Sequence, residues 1–102
     1  MAIEILDSWK EFDANFALVK TSGGIFTIYR RQIHCGIESD LEQFTVQSVR
    51  LSQKIVDTYW PVGENPEDVS KSSERFRYDL SRIKDLTGVD PFELMEIVKD
   101  KE

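Results

Sequence analysis

The twenty residues from Leu41 to Trp60 constrain this chain more than any other stretch, because they hold more apolar surface than one singly covered element needs. Read as a helix at about 100° per residue, they carry two apolar stripes. Leu41, Phe44, Leu51, Ile55 and Tyr59 form one, and Val46, Val49, Val56 and Trp60 form the other. Only Gln43, Gln47, Arg50, Lys54 and Asp57 remain as a narrow polar ribbon. Such a helix is either central and covered on two sides, or covered on one side and offered to a partner on the other. The spacing therefore predicts a long central helix ended by Pro61, with Leu41, Phe44, Leu51 and Ile55 in the core. Val46, Val49, Val56 and Trp60 stay open between core, which is favoured, and a homodimer seam or partner surface.

The flanking segments supply the cover. Ser8 with Glu11 three positions on has capping-box spacing and predicts a short helix from Trp9 to about Asn15, with Trp9, Phe12 and Phe16 on one face. A strand over residues 2–6 is the alternative at that end. Phe16–Thr21, then Ser22-Gly23-Gly24, then Ile25–His34 read as a β-hairpin about a Gly-Gly turn. Its second strand puts Ile25, Thr27, Tyr29, Arg31 and Ile33 on one face, and Phe26, Ile28, Arg30, Gln32 and His34 on the other. Ser39 with Glu42 forms a second capping box, opening the long helix.

After the loop Val62–Asn65, Pro66 opens a third helix, Glu67–Thr87, with Val69, Phe76, Leu80, Ile83 and Thr87 along one face and Gly88 as its C′ residue. Asp90-Pro91 opens a last short helix reaching about Lys99. The expected architecture is α+β: one helix-dominant domain spanning residues 1–102, made of a short N-terminal helix, a hairpin, a long central helix and two further helices.

Composition narrows the function classes. No run of about 18 apolar residues exists, so no membrane span is expected. The N-terminus lacks the pattern of a secretory signal, and Cys35 is the single cysteine, which together fit a cytoplasmic protein. Net charge is −6, unevenly spread: segments 21–37 and 69–89 each carry a surplus of two positive charges, while 38–68 carries five net negative ones. An acidic total disfavours nucleic acid as ligand.

Little here points to reaction chemistry. His34-Cys35 is the only nucleophile pairing, and neighbours on a strand point to opposite faces. One His and one Cys cannot furnish a zinc set, and no calcium-loop or Gly-rich phosphate motif occurs. The sequence reading is therefore a non-enzymatic protein without cofactor or metal. It is expected to bind a protein partner as a regulator or inhibitor, of the kind phages and mobile elements encode. Candidate contacts are Val46, Val49, Val56, Tyr59 and Trp60, with the acidic Glu38, Asp40 and Glu42 suited to a basic partner site, including one that binds nucleic acid. The alternative is a nucleic-acid-binding module using Lys71, Arg75, Tyr78 and Arg82 on one helix face, with Arg30 and Arg31 of the hairpin.

Overall fold

A computed structural model describes residues 3–36 and 40–99. Five strands come first: β1 (Glu4–Glu11), β2 (Ala14–Thr21), β3 (Gly24–Ile33), β4 (Leu41–Ser48) and β5 (Gln53–Pro61). Three helices follow: α1 (Pro66–Ser72), α2 (Glu74–Thr87) and α3 (Pro91–Ile97). The strands form one antiparallel meander in the order β1-β2-β3-β4-β5.

This overturns the helix-dominant reading with its long central helix. Leu41–Trp60 is a strand pair, β4 and β5, joined by a turn through Val49–Ser52. The two apolar stripes are two sets of alternate residues. Phe44 and Val46 on β4 stand beside Val56, Thr58 and Trp60 on β5, all on one sheet face and all buried. β-Branched and aromatic side chains fill these strands (Thr45, Val46, Ile55, Val56, Thr58, Tyr59), and such residues favour a pleated, half-covered surface. Phe44 is core and Leu41 and Ile55 are half-buried, but Leu51, expected in the core, sits in the turn and is 66% exposed. Pro61 closes an edge strand, where its missing N–H costs no ladder bond.

The N-terminal helix is also absent. Ser8 and Glu11 lie in β1, which pairs with β2 through a two-residue turn at Phe12-Asp13. β1 therefore runs well past the alternative strand over residues 2–6, whose first residue lies outside the described residues. Ser39 lies outside them too, and Glu42, its supposed capping partner, is in β4. The Gly-Gly hairpin is present as β2 and β3, with Thr21 opposite Gly24 and both faces of β3 as the alternation indicates. The expected helix 67–87 is broken at Ser73, which ends α1 and caps α2, its Oγ accepting from the Phe76 amide at 3.2 Å. Asn65 and Asp90 cap α1 and α3 in the same way.

All three helices lie on one face of the sheet. Ala17, Val19, Phe26, Ile28, Phe44, Val46, Val56 and Trp60 meet Phe76, Leu80, Ile83, Val89, Leu94, Met95 and Val98 in one cluster. Each large side chain buried there contributes about 1.5–3 kcal/mol. Among the described residues, no helix lies over the other sheet face. No helix among the described residues is long and apolar enough to cross a membrane.

Candidate binding face

Strand register determines what the uncovered face presents. Trp9, Phe16, Tyr29, Thr45 and Asp57 are successive cross-strand neighbours, so they form one row across all five strands. The first three are aromatic and touch in sequence. Trp9 stacks on Phe16 with centroids 5.3 Å apart and planes 6° from parallel, and Phe16 meets Tyr29 at 5.0 Å with a 35° tilt. Trp9 is 39% exposed, so the platform is open to solvent at its β1 end.

The next row, Glu11, Ala14, Arg31, Gln43 and Tyr59, supplies a polar chain. Arg31 Nε donates to Gln43 Oε1 at 2.7 Å, and Gln43 Nε2 donates to Tyr59 Oη at 3.1 Å and to Asp57 Oδ1 at 3.5 Å. Thr45 Oγ1 donates to that same Asp57 oxygen, and Lys54 Nζ pairs with Asp57 Oδ2 at 2.9 Å. Asp57 thus gathers three donors, and its hydrogen bond and charge raise the Lys54 ammonium pKa above its ordinary value. The result is a rigid surface, since Gln43 and Thr45 are buried beneath longer neighbours while every polar atom named has a partner.

Charge on this face is lopsided. Glu4, Asp7 and Glu11 share the uncovered side of β1 with Trp9 and make an acidic margin at one edge. Lys20 lies opposite Glu4, and Arg31 and Lys54 lie toward the middle and far edge.

The residues singled out from the sequence scatter over the fold. Val46, Val56 and Trp60 are core, and Trp60 packs edge-on against Phe76 at 5.6 Å. Val49 is exposed in the β4–β5 turn, and Tyr59 alone of that group lies on the uncovered face, 46% exposed. Of the acidic trio, Asp40 pairs with His34 at 3.2 Å and Glu42 with Arg30 at 3.2 Å, while Glu38 lies outside the described residues. Arg30 and Arg31 point to opposite faces, Arg30 lying over the Trp60 ring. The basic helix stripe is divided: Lys71 is on α1 beside Asp68, and Arg75, Tyr78 and Arg82 are on α2, where Arg75 pairs with Asp79. Cys35 and His34 are both exposed just beyond β3.

Sequence patterns alone do not mark Trp9, Phe16, Gln43, Thr45 and Asp57 as site residues. Trp9 and Phe16 stand equally far from the Phe12-Asp13 turn, and that symmetry is the signal that pairs them. The chain matches no known protein family, no curated protein and no solved structure.

Proposed function

We propose that this is a protein-binding module that regulates or inhibits a partner by laying its uncovered sheet face on the partner's surface. The observation that carries this reading is the Trp9–Phe16–Tyr29 row, an aromatic platform that no helix among the described residues covers. Aromatic side chains bring large contact area at low entropic cost, and they are enriched at the centres of protein interfaces. The locked network around Gln43 and Asp57 adds a surface that loses little freedom on docking.

The acidic margin specifies the partner's chemistry. Glu4, Asp7 and Glu11 beside Trp9 suit an apolar patch bordered by lysines or arginines, and the net charge of −6 steers the chain toward such a surface. The same carboxylates repel a phosphate backbone and a second copy of this face.

The test is a comparison of variants. Affinity capture with the native chain, with Trp9→Ala and Tyr29→Ala, and with Tyr78→Ala on α2 should recover one protein that only the Trp9 and Tyr29 variants lose. Binding of that protein, purified, should weaken about 30-fold for Trp9→Ala, the effect of losing roughly 2 kcal/mol at a hot spot. Equal recovery by all four chains overturns the reading. So does capture of nucleic acid with a steep salt dependence, which returns the assignment to the arginine surfaces.

A further inference from the structure

Positive φ at a hairpin turn is a conformation that glycine adopts freely and that residues with side chains adopt at a steric cost. Among the described residues, Gly24, Gly36, Gly63 and Gly88 meet that need with glycine, and Ser52 meets it with a small polar side chain. Phe12, at φ 56°, is the one bulky residue to do so. Its ring brings the fold no burial in return. Phe12 is 96% exposed, more than any other large hydrophobic residue among those described. A side chain that strains its turn and leaves the core untouched is accounted for by a use outside the chain.

The placement of Phe12 indicates that use. It stands past the last cross-strand pair, Glu11 opposite Ala14, and borders hollows on both sheet faces. The hollow on the uncovered face, about 420 Å3, is lined by Phe12 and Phe16 and by Ala14, a small buried residue. Phe16 is the middle ring of the aromatic platform, so Phe12 continues that platform beyond the end of the sheet. A partner surface that is flat throughout does not meet both the platform and a ring standing off the turn. A surface with an apolar pocket at that point does, and aromatic side chains seated in such pockets dominate interface energetics.

The flanking charges fit the same picture. Glu11 and Asp13 bracket the turn, and neither has an ion-pair partner among the described residues. Arg31 lines the hollow with them but is held toward Gln43 by its Nε at 2.7 Å, and the two carboxylates outnumber it. A pocket with N–H or ammonium donors at its mouth complements this rim.

We propose that Phe12 is the anchor of the interface, entering an apolar pocket of the same protein partner whose patch lies on the Trp9–Phe16–Tyr29 platform; this rests on the reading of the uncovered face given above. The substitution Phe12→Gly tests it through two effects of opposite sign. It removes the strain together with the ring, so Tm should rise by about 3–5 °C. Binding of the purified partner, the protein that Trp9→Ala and Tyr29→Ala fail to recover, should weaken about 30-fold. Phe12→Asn, which also tolerates positive φ, should weaken binding as much without lowering Tm. In the native complex, a para-fluorinated Phe12 ring should pass from solvent-exposed to buried by fluorine NMR.

A Tm that fails to rise in Phe12→Gly overturns the proposal, because the ring then serves the fold. Affinity within about threefold of native in both variants, or a ring that stays exposed in the complex, overturns it as well. If Trp9→Ala still weakens binding in that case, the platform stands and the anchor alone fails. If Trp9→Ala binds as the native chain does, both fail.

Discussion

The backbone amide of Gly23 donates to the carbonyl oxygen of Thr87 at 3.2 Å, fastening the β2–β3 turn to the C-terminal end of α2. Ser22 Oγ reaches the same carbonyl at 3.5 Å. The approach is close enough that a Cβ on Gly23 would overlap the Leu86 carbonyl oxygen, and one on Gly88 would overlap Ser22 Oγ. Gly88 also holds φ 73° as the residue that ends α2. Two glycines far apart in sequence thus share one gap with no room for a methyl group. This clasp sets where α2 lies over the sheet.

Gly23→Ala should therefore lower unfolding free energy by about 2–4 kcal/mol, combining overpacking against backbone with a weakened hydrogen bond to Thr87. Gly88→Ala should cost about 1–3 kcal/mol from its φ and the Ser22 contact. Urea unfolding monitored by tryptophan fluorescence measures both. A Gly23→Ala midpoint equal to the native one contradicts the clasp.

Trp60 fills the core between β5 and α2, yet its buried indole Nε1 has no hydrogen-bond partner among the described residues. An orphaned donor costs about 1–3 kcal/mol, comparable to the packing gained from the larger ring. Trp60→Phe, which keeps an edge contact to Phe76, should leave stability within about 1 kcal/mol of native, whereas Trp60→Ala should cost about 3–5 kcal/mol. Thermal unfolding of the two variants should separate them clearly.

Asp57 raises the Lys54 pKa, first through a hydrogen bond and then through charge. For a lysine whose pKa is raised on folding, the stabilising contribution is complete below the unfolded value of about 10.4 and fades as pH rises through the folded one. A side-chain NMR titration should place the Lys54 midpoint above the ordinary lysine value of about 10.4. Asp57→Asn keeps an acceptor for Thr45 and should return Lys54 to the ordinary range. An unmoved midpoint in that variant contradicts the pairing.

Every residue of β1 is exposed, and among the described residues no strand lies along its outer edge, an arrangement that invites edge-to-edge association. Three features blunt it: a bulge between Ile5 and Asp7, the charges along the strand, and the Asp7 carboxylate, which accepts the Ser8 amide at 2.8 Å. The native chain should give a monomer mass by light scattering at two concentrations. Asp7→Val should show a mass that rises with concentration.

The local devices of this fold were readable from sequence where a residue type had one physical use. Ser22-Gly23-Gly24 marked the hairpin, Asp90-Pro91 a helix start and Gly88 a helix end. The long stretch Leu41–Trp60 misled because dense apolar residues satisfy the helical and the strand period at once. Its turn gave no warning, since Ser52 adopts φ 48° where a glycine would have signalled a break. The same holds at the first turn, where Phe12 takes φ 56°. Trp9, Phe12 and Phe16 fit one helix face as well as they fit a hairpin, so the aromatic platform was hidden. Gly23 reads as a turn residue in the sequence, but its close approach to Leu86 lies in tertiary structure alone.

The measurement that bears most directly on the uncovered face is hydrogen-exchange or NMR footprinting of the chain with the protein partner recovered by affinity capture. Protection and shift changes should centre on Trp9, Phe16, Tyr29 and the Gln43–Tyr59 pair, and fade toward the helical layer. A footprint centred on Tyr78 and Arg82 of α2, with the aromatic row unchanged, contradicts the account.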